Sequence, residues 1–422
     1  MSSILFVHQN FPAQFRHLAP ALAQAGRDVR ALASDGPDQA RVQLPGVQQY
    51  RYSPRPFQGI GKTHPWLLDL ETKLVRAEAC LKAASELRST GYHPDIVVLH
   101  PGWGESLFLP DVWPNARYAM YCEFYYGATG RDTGFDPEIH PAQASDSPRL
   151  RIKNVSNLLH FEFVRAGLAP TRWQADTFPD SFRSRIDVIH DGIDTSLLVP
   201  DPDARLSIKV SGREINLSRA DEVVTYVSRN LEPYRGIHSF IRSLPALLRE
   251  RPNAWVLLVG GDGVSYGAPP DPAKYGERTW TQVFMDEVAA QLPAKARERI
   301  IFLGKLPYSA YLRVLQVSRV HVYLTYPFVL SWSLLEAMSA GCAIVASRTP
   351  PVEEAIESGI TGSLVDFFNP TELADAVVTL LEAPELAARF GIAARATAIE
   401  RYDLRRVCLP RQLDWISRLQ AT

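Results

Sequence analysis

Cysteine is scarce in this 422-residue chain: Cys80, Cys122, Cys342 and Cys408 lie far apart and form no C-x-x-C pair. That spacing suggests neither a zinc cluster nor a disulfide framework, and it fits a reducing compartment. Excess charge is lacking too, with 45 basic and 46 acidic side chains and a net charge of −1. A nucleic-acid surface needs a net basic face to displace counterions from phosphates, so no nucleic-acid partner is expected. No apolar run approaches the roughly 20 residues of a membrane helix. The start, Met1-Ser2-Ser3 leading straight into Ile4-Leu5-Phe6-Val7-His8, has no basic lead-in of a signal peptide. The expected location is cytoplasmic. Peripheral contact at the inner face of a membrane stays open, through basic residues such as Arg51, Arg55 and Lys62. Short-period repeats and low-complexity tracts are absent.

What is present is apolar material for more than one core, at 46% hydrophobic residues, and a length that suits two domains. Short β-branched runs alternate with helical patterns, the grammar of β-α-β units around a parallel sheet. Strands are expected at 4–8, 28–33, 95–100, 117–122, 167–170 and 186–189, with helices at 14–24, 67–89, 103–109 and 155–164. A second series repeats the grammar, with strands at 222–228, 255–260, 300–304, 321–324, 343–346 and 363–365. Its helices are expected at 237–250, 308–317, 333–340 and 351–357, followed by 371–381, 384–401 and 404–419. The fold class is therefore α/β, two tandem Rossmann-like domains facing an inter-domain cleft. The expected domains are 1–198 and 199–403, divided where Pro200, Asp201, Pro202 and Asp203 break regular structure. The segment at about 404–422 is a candidate to pack back on the first domain. Two long polar loops, 34–65 and 127–148, follow strands of the first domain and are candidates for acceptor recognition.

The strongest chemical signal is the stretch from Tyr326 to Ala346, in which a strand end passes through Phe328 into a helix opening at Ser331-Trp332-Ser333. Backbone N–H groups at a helix start have no helical partner, so a phosphate can be held there. Glu336 lies about one turn in, where a carboxylate can accept two hydrogen bonds from a ribose diol, or simply complement the helix start. Leu335-Glu336-Ala337-Met338 and Gly341 resemble the second half of the Glu-x7-Glu motif of retaining glycosyltransferases of family four (group 1), which have the GT-B fold. The position of the first carboxylate is Phe328, so the donor-sugar contact that it supplies in the family is absent here.

Other segments carry the same resemblance. Arg229-Asn-Leu-Glu-Pro-Tyr-Arg235-Gly236 is similar to the family's Arg and Lys-Gly segment, and it implies a cationic pair that stabilises charge on a departing diphosphate. Gly260-Gly261-Asp262-Gly263 stands at the family's Gly-x-Gly segment near base and phosphates, and Gly261 is the candidate there. Lys305 and Leu306 follow the next strand and are expected to offer backbone contacts to a base edge. In the first domain Gln9, Asn10 and Gln14 occupy the loop where relatives carry a Gly-rich turn against the donor. His100 and Glu123 end two later strands. Glu123 either orients the acceptor or takes its proton, and the usual alternative for His100 is a buried, hydrogen-bonded histidine.

The resemblance implies transfer of a sugar from a nucleotide-sugar donor, UDP- or GDP-linked, to an acceptor hydroxyl with the anomeric configuration retained. The expected setting is glycan, glycolipid or polysaccharide biosynthesis. No cofactor and no metal are expected, and the acceptor is left open among a saccharide, a glycolipid and a small molecule. Alternatives are a nucleotide-sugar-binding protein without transfer, an inverting GT-B transferase or an epimerase. A nicotinamide oxidoreductase is disfavoured, because no Gly-x-Gly-x-x-Gly follows the first strand.

Overall fold

The computed structural model describes residues 2–35, 42–56, 63–210 and 212–421, and they form two compact units. The first comprises Met1–Gly192 together with Arg405–Thr422. Its sheet contains β1 (Ser3–Val7), β2 (Asp28–Ser34), β3 (Val47–Tyr52), β4 (Ile96–Leu99), β5 (Arg117–Tyr121), β6 (Val164–Ala169) and β7 (Ile186–Val188). All pair in parallel, in the order β3-β2-β1-β4-β5-β6-β7. Strands covered on both faces read as unbroken apolar runs, and β1 shows why. Ile4 and Phe6 face one core with the helix Leu18–Gln24, while Leu5 and Val7 face another with the helix Leu68–Ser89. The first core also holds the last helix, Leu409–Ala421, through Trp415, Ile416 and Leu419. Gln412 Nε2 of that helix donates to the His190 carbonyl at 3.0 Å. Trp415 is 1% exposed, so truncation to alanine would cost about 3–5 kcal/mol and release the helix.

Several expected boundaries shift in this unit. The 34–65 segment contains β3, whose sequence VQQYRY buries only Val47 and Tyr52. An edge strand of this kind lacks the apolar run that marks a central one. Residues 36–41 and 57–62 of the same segment, Lys62 among them, lie outside the described residues. The helix expected at 103–109 is instead a 3-10 turn, Pro101–Trp103, and a short helix, Leu109–Val112, interrupted by Gly104 at φ +84°. The 127–148 segment stays irregular until the helix Asp146–Lys153 begins.

The second unit is Ile193–Leu404. An antiparallel hairpin, β8 (Arg205–Val210) with β9 (Arg213–Ser218), precedes a parallel sheet. That sheet contains β10 (Val223–Asn230), β11 (Trp255–Gly261), β12 (Ile300–Gly304), β13 (Val320–Tyr323), β14 (Ala343–Ser347) and β15 (Ser363–Val365), in the order β12-β11-β10-β13-β14-β15. The hairpin was not expected, because its short, mostly exposed strands alternate apolar with charged residues. The helix Ile237–Glu250 covers the sheet with Ile237, Phe240, Ile241, Leu244 and Leu247, each 0% exposed. Its start requires Gly236 at φ +74°, since a Cβ there would lie 2.5 Å from Leu324 Cβ. Buried Thr225 Oγ1 links β10 to His321 Nδ1 of β13 at 2.8 Å. Burial lowers the His321 pKa to about 3, so this imidazole is a neutral partner. Neighbours of β10 leave to opposite sides, and so do those of β1, which opens a crevice at the carboxyl ends of each sheet. Among the described residues no helix is long and apolar enough to cross a membrane.

Candidate active site

The carboxyl edge of the second sheet holds a cavity of about 470 Å³. Its lining includes Arg229 from the end of β10, Gly260 from β11, Lys305 and Leu306 after β12, and Ser331, Trp332, Ser333 and Glu336 from the helix Trp332–Ser339 and its cap. These are residues from four chain segments, brought together by the parallel sheet. Glu336 is held by two phenols, with Tyr311 donating to Oε2 at 2.7 Å and Tyr308 to Oε1 at 3.1 Å. A carboxylate offers about four lone-pair positions, more than the two phenols use. Burial, then Glu336 itself, pushes the Tyr311 pKa well above its ordinary value, and the phenol stays a donor. Arg229 and Lys305 are both exposed and are the cations of this lining.

Gly260 rather than Gly261 lines the cavity. It sits at φ +156°, and a Cβ there would lie 2.6 Å from the Ser228 carbonyl. At Gly261 a Cβ would lie 2.7 Å from Lys305 Cε, so this glycine gives the lysine its path.

Three expected contacts differ from what the structure shows. Arg235 is 7% exposed and donates to Thr325 Oγ1 at 2.9 Å and the Val329 carbonyl at 3.0 Å, with its Cζ 5.1 Å from the centre of the Tyr266 ring. It braces the loop leading to the Glu336 helix and does not join Arg229 as a cationic pair. The side chain turns inward, where it is the donor to the Thr325 hydroxyl and the Val329 carbonyl. Phe328 is 5% exposed and packs edge-on against Tyr234 and Tyr266 at 5.6 and 5.0 Å between ring centres, away from the cavity lining. The Ser331 N–H, expected to face a phosphate, donates to Tyr323 Oη at 2.9 Å, and the Ser333 N–H donates to Ser331 Oγ at 3.3 Å. The Ser331 and Ser333 N–H groups of the helix start are thus capped by the protein itself.

Sequence reasoning missed Tyr308 and Tyr311, whose signal was a Tyr-x-x-Tyr pair opening the helix just after Lys305-Leu306-Pro307. It also missed Glu232, which is 1% exposed and accepts the N–H groups of Ser265, Tyr266 and Gly267 at 2.9, 3.1 and 3.2 Å. That carboxylate fixes the loop after the glycine turn.

The first unit gathers its candidates at its own carboxyl edge. Gln14 Nε2 donates to Glu123 Oε1 at 3.2 Å, and His100 Nε2 lies 3.5 Å from Glu123 Oε2. The His100 Nδ1 accepts from the Gly102 N–H at 3.2 Å, which leaves the proton on Nε2, toward Glu123. His8, also missed, stands with its ring centre 5.0 Å from that of His100 and accepts the N–H of Asn10 at 2.9 Å. Burial, then His100, lowers the His8 pKa well below the usual range, so it is a neutral base or acceptor.

Buried polar atoms without a hydrogen-bond partner gather here, Gln9 Oε1 and Trp103 Nε1 among them, and the Glu105 carboxylate has the backbone N–H groups of Glu105 and Gln9 beside it. Native interiors leave few such atoms, and a cluster of them marks a place where water or a ligand belongs. Glu105 is 0% exposed, and burial raises its pKa to about 7. Its only sequence signal was a carboxylate after Gly102-Trp103-Gly104 within an otherwise apolar stretch.

Both units match known proteins. The family profile described as glycosyl transferase family 4 group matches residues 26–198, and that described as glycosyl transferases group 1 matches residues 211–397. The chain is 28% identical over 214 residues to a D-inositol 3-phosphate glycosyltransferase of Corynebacterium glutamicum, an alignment covering 50% of this chain and 47% of that protein. It thus spans about half the length of that relative. Among solved structures, sucrose-phosphate synthase from Thermosynechococcus elongatus superposes with a TM-score of 0.73 at 19% identity, covering 100% of both chains. The Anabaena protein HepE, solved with UDP and glucose, superposes with a TM-score of 0.67 at 18% identity, covering 99% of this chain and 100% of that one. The two profiles together span most of the sequence and the sheets match the solved structures: this chain belongs to the group 1 glycosyltransferases and has the GT-B fold.

Proposed function

We propose that the chain transfers a sugar from a nucleotide-sugar donor to an acceptor hydroxyl with retention of anomeric configuration. The observation that carries the reading is Glu336, fixed by Tyr308 and Tyr311 in a cavity that also presents Arg229, Lys305 and the close-approach glycine Gly260. In this reading Glu336 accepts the ribose hydroxyls, and Leu306 with Lys305 borders the base. Arg229 and Lys305 carry the charge that builds on the diphosphate as the glycosidic bond breaks. The acceptor oxygen attacks the anomeric carbon from the face the diphosphate leaves, and its proton passes to the departing phosphate oxygen. No protein nucleophile and no metal enter this scheme. HepE was solved with UDP and glucose, and the donor proposed for this chain is a UDP- or GDP-sugar.

The first unit supplies the buried polar group around Gln9, Gln14, Trp103 and Glu105, beside His100 and Glu123. We assign it to holding a polar ligand, with Glu123 orienting an acceptor hydroxyl. The setting proposed is cytoplasmic synthesis of a glycan, glycolipid or polysaccharide. A second reading, donor binding without transfer, is favoured by one observation only: the family's sugar-contacting carboxylate is here Phe328, turned into an aromatic cluster. Proton NMR of the purified protein with UDP-glucose and simple acceptor sugars separates the two. An α-linked product or released α-glucose supports retaining transfer, a β-configured product contradicts retention, and an intact donor that nevertheless binds supports the second reading.

A further inference from the structure

A second cavity, of about 350 Å³, lies at the opposite edge of the second unit's sheet. Arg319 immediately precedes β13, Arg219 precedes β10, and Gly341 precedes β14, so the lining gathers at the amino ends of the strands whose carboxyl ends border the Glu336 cavity. Arg219, Arg319 and Arg395 all line it, and no carboxylate does. Two of the three guanidinium groups are turned to carbonyl oxygens. Arg395 donates to the carbonyls of Leu198 at 2.9 Å, Thr195 at 3.3 Å and Ser339, while Arg219 donates to those of Ala340 at 3.3 Å and Gly341. Carbonyls satisfy donors but neutralise no charge. Burial alone lowers the Arg395 pKa, with no acid opposing it. The Arg319 side chain makes no hydrogen bond or ion pair among the described residues, and it is partly buried.

The carbonyl end of the helix Trp332–Ser339 also faces this place, and a helix end contributes only roughly half a negative charge. Three full positive charges outweigh it. One wall of the cavity is apolar: the helix Pro384–Tyr402 presents Ala388 and Ile392, and Ile392 is 72% exposed, the highest exposure of any large apolar side chain among the described residues. Planar guanidinium forks match the oxygens of phosphates and carboxylates two at a time, and a phosphate has more oxygens to share among three cations.

We propose that this cavity binds a phosphate monoester or diester, its anionic end on Arg219, Arg319 and Arg395 and its organic part on Ala388 and Ile392. The site is separate from the Glu336 cavity and does not depend on the reading of that cavity as a donor site. The ligand is either a soluble phosphate ester or the head group of an anionic phospholipid, and the test separates these sources.

Full-length protein is titrated with glycerol 3-phosphate by isothermal calorimetry, and sedimented with phosphatidylcholine vesicles with and without 30% phosphatidylglycerol. Wild type, Arg319→Ala, Arg319→Lys, Ile392→Asp and Arg229→Ala are compared. Binding of either probe that falls at least tenfold in Arg319→Ala and Ile392→Asp, less in Arg319→Lys, and persists in Arg229→Ala supports the site. The probe that binds identifies the source. Absence of binding to both probes in wild type, unchanged binding in Arg319→Ala, or an equal loss in Arg229→Ala would overturn it. Arg319→Ala removes no hydrogen bond of the fold, so an unchanged melting temperature is expected to accompany the loss of binding.

Discussion

Tyr311→Phe removes one oxygen and tests whether Glu336 works because it is held. The Tyr311 hydroxyl donates to Glu336 Oε2 at 2.7 Å from a side chain only 8% exposed, whereas Tyr308, the other support, is 47% exposed. A hydrogen bond to a charged group contributes about 1.5–3 kcal/mol net, and phenylalanine keeps the ring packing. Without that bond the carboxylate loses its buried phenol donor and is held less firmly. A loss of about 1–2 kcal/mol in ligand binding follows, which is a rise in Kd of roughly 5–30-fold. Calorimetric titration of the nucleotide-sugar donor reads it directly. A Tyr311→Phe protein that binds donor within twofold of wild type, while Glu336→Ala abolishes binding, would refute the claim that orientation by the phenols matters.

Arg235→Ala should lose about 3 kcal/mol of stability, because the Thr325 hydroxyl and Val329 carbonyl lose their buried donor, and turnover should fall with it. Arg229→Ala, at an exposed position, should lower turnover with an unchanged melting temperature, and thermal melts beside initial rates distinguish the two. Phe328→Glu should not restore a sugar contact. It places a carboxylate among Tyr234 and Tyr266 and should lower the melting temperature by roughly 6–12 °C, as expected for about 3 kcal/mol.

Glu105 gives a pH dependence. Its folded pKa, about 7, is raised above the ordinary value of 4.5, so between those values the folded state binds more protons than the unfolded one. Its stabilising contribution is complete below pH 4.5 and is lost as pH rises through 7, a change of about 3 kcal/mol. Denaturant titrations from pH 4.5 to 8 should show this decline in wild type relative to Glu105→Gln. Parallel profiles would contradict the assignment.

What the sequence made legible follows from range. Central strands such as Ile4-Leu5-Phe6-Val7 and Ile96-Val97-Val98-Leu99 are apolar throughout because both their faces are covered, and that property is local. The strand Val47–Tyr52 and the hairpin at Arg205–Ser218 are exposed on one side or at an edge, and their polar alternation looks like loop. Glu336 was readable from its own segment, since the helix start and its neighbours lie within a few residues. Its phenols were not, because they come from 25 and 28 residues earlier and meet it only through the sheet. Arg235 shows a different limit. Residue type and spacing place a cation after the strand, but whether it points out to a ligand or in to the Val329 carbonyl depends on the loop 325–331. Glu105 carried only a faint signal, a carboxylate after Gly102-Trp103-Gly104, and its burial is a product of the fold.

The account rests on Glu336 holding a nucleotide sugar in the second unit's cavity. A thermal-shift screen of wild type and Glu336→Ala against UDP-, GDP- and ADP-sugars tests this most directly, since a ligand that binds only the folded state stabilises it by mass action. The account predicts that one nucleotide class raises the melting temperature of wild type and leaves Glu336→Ala unmoved. Equal shifts in both proteins, or no shift with any nucleotide sugar, would contradict it.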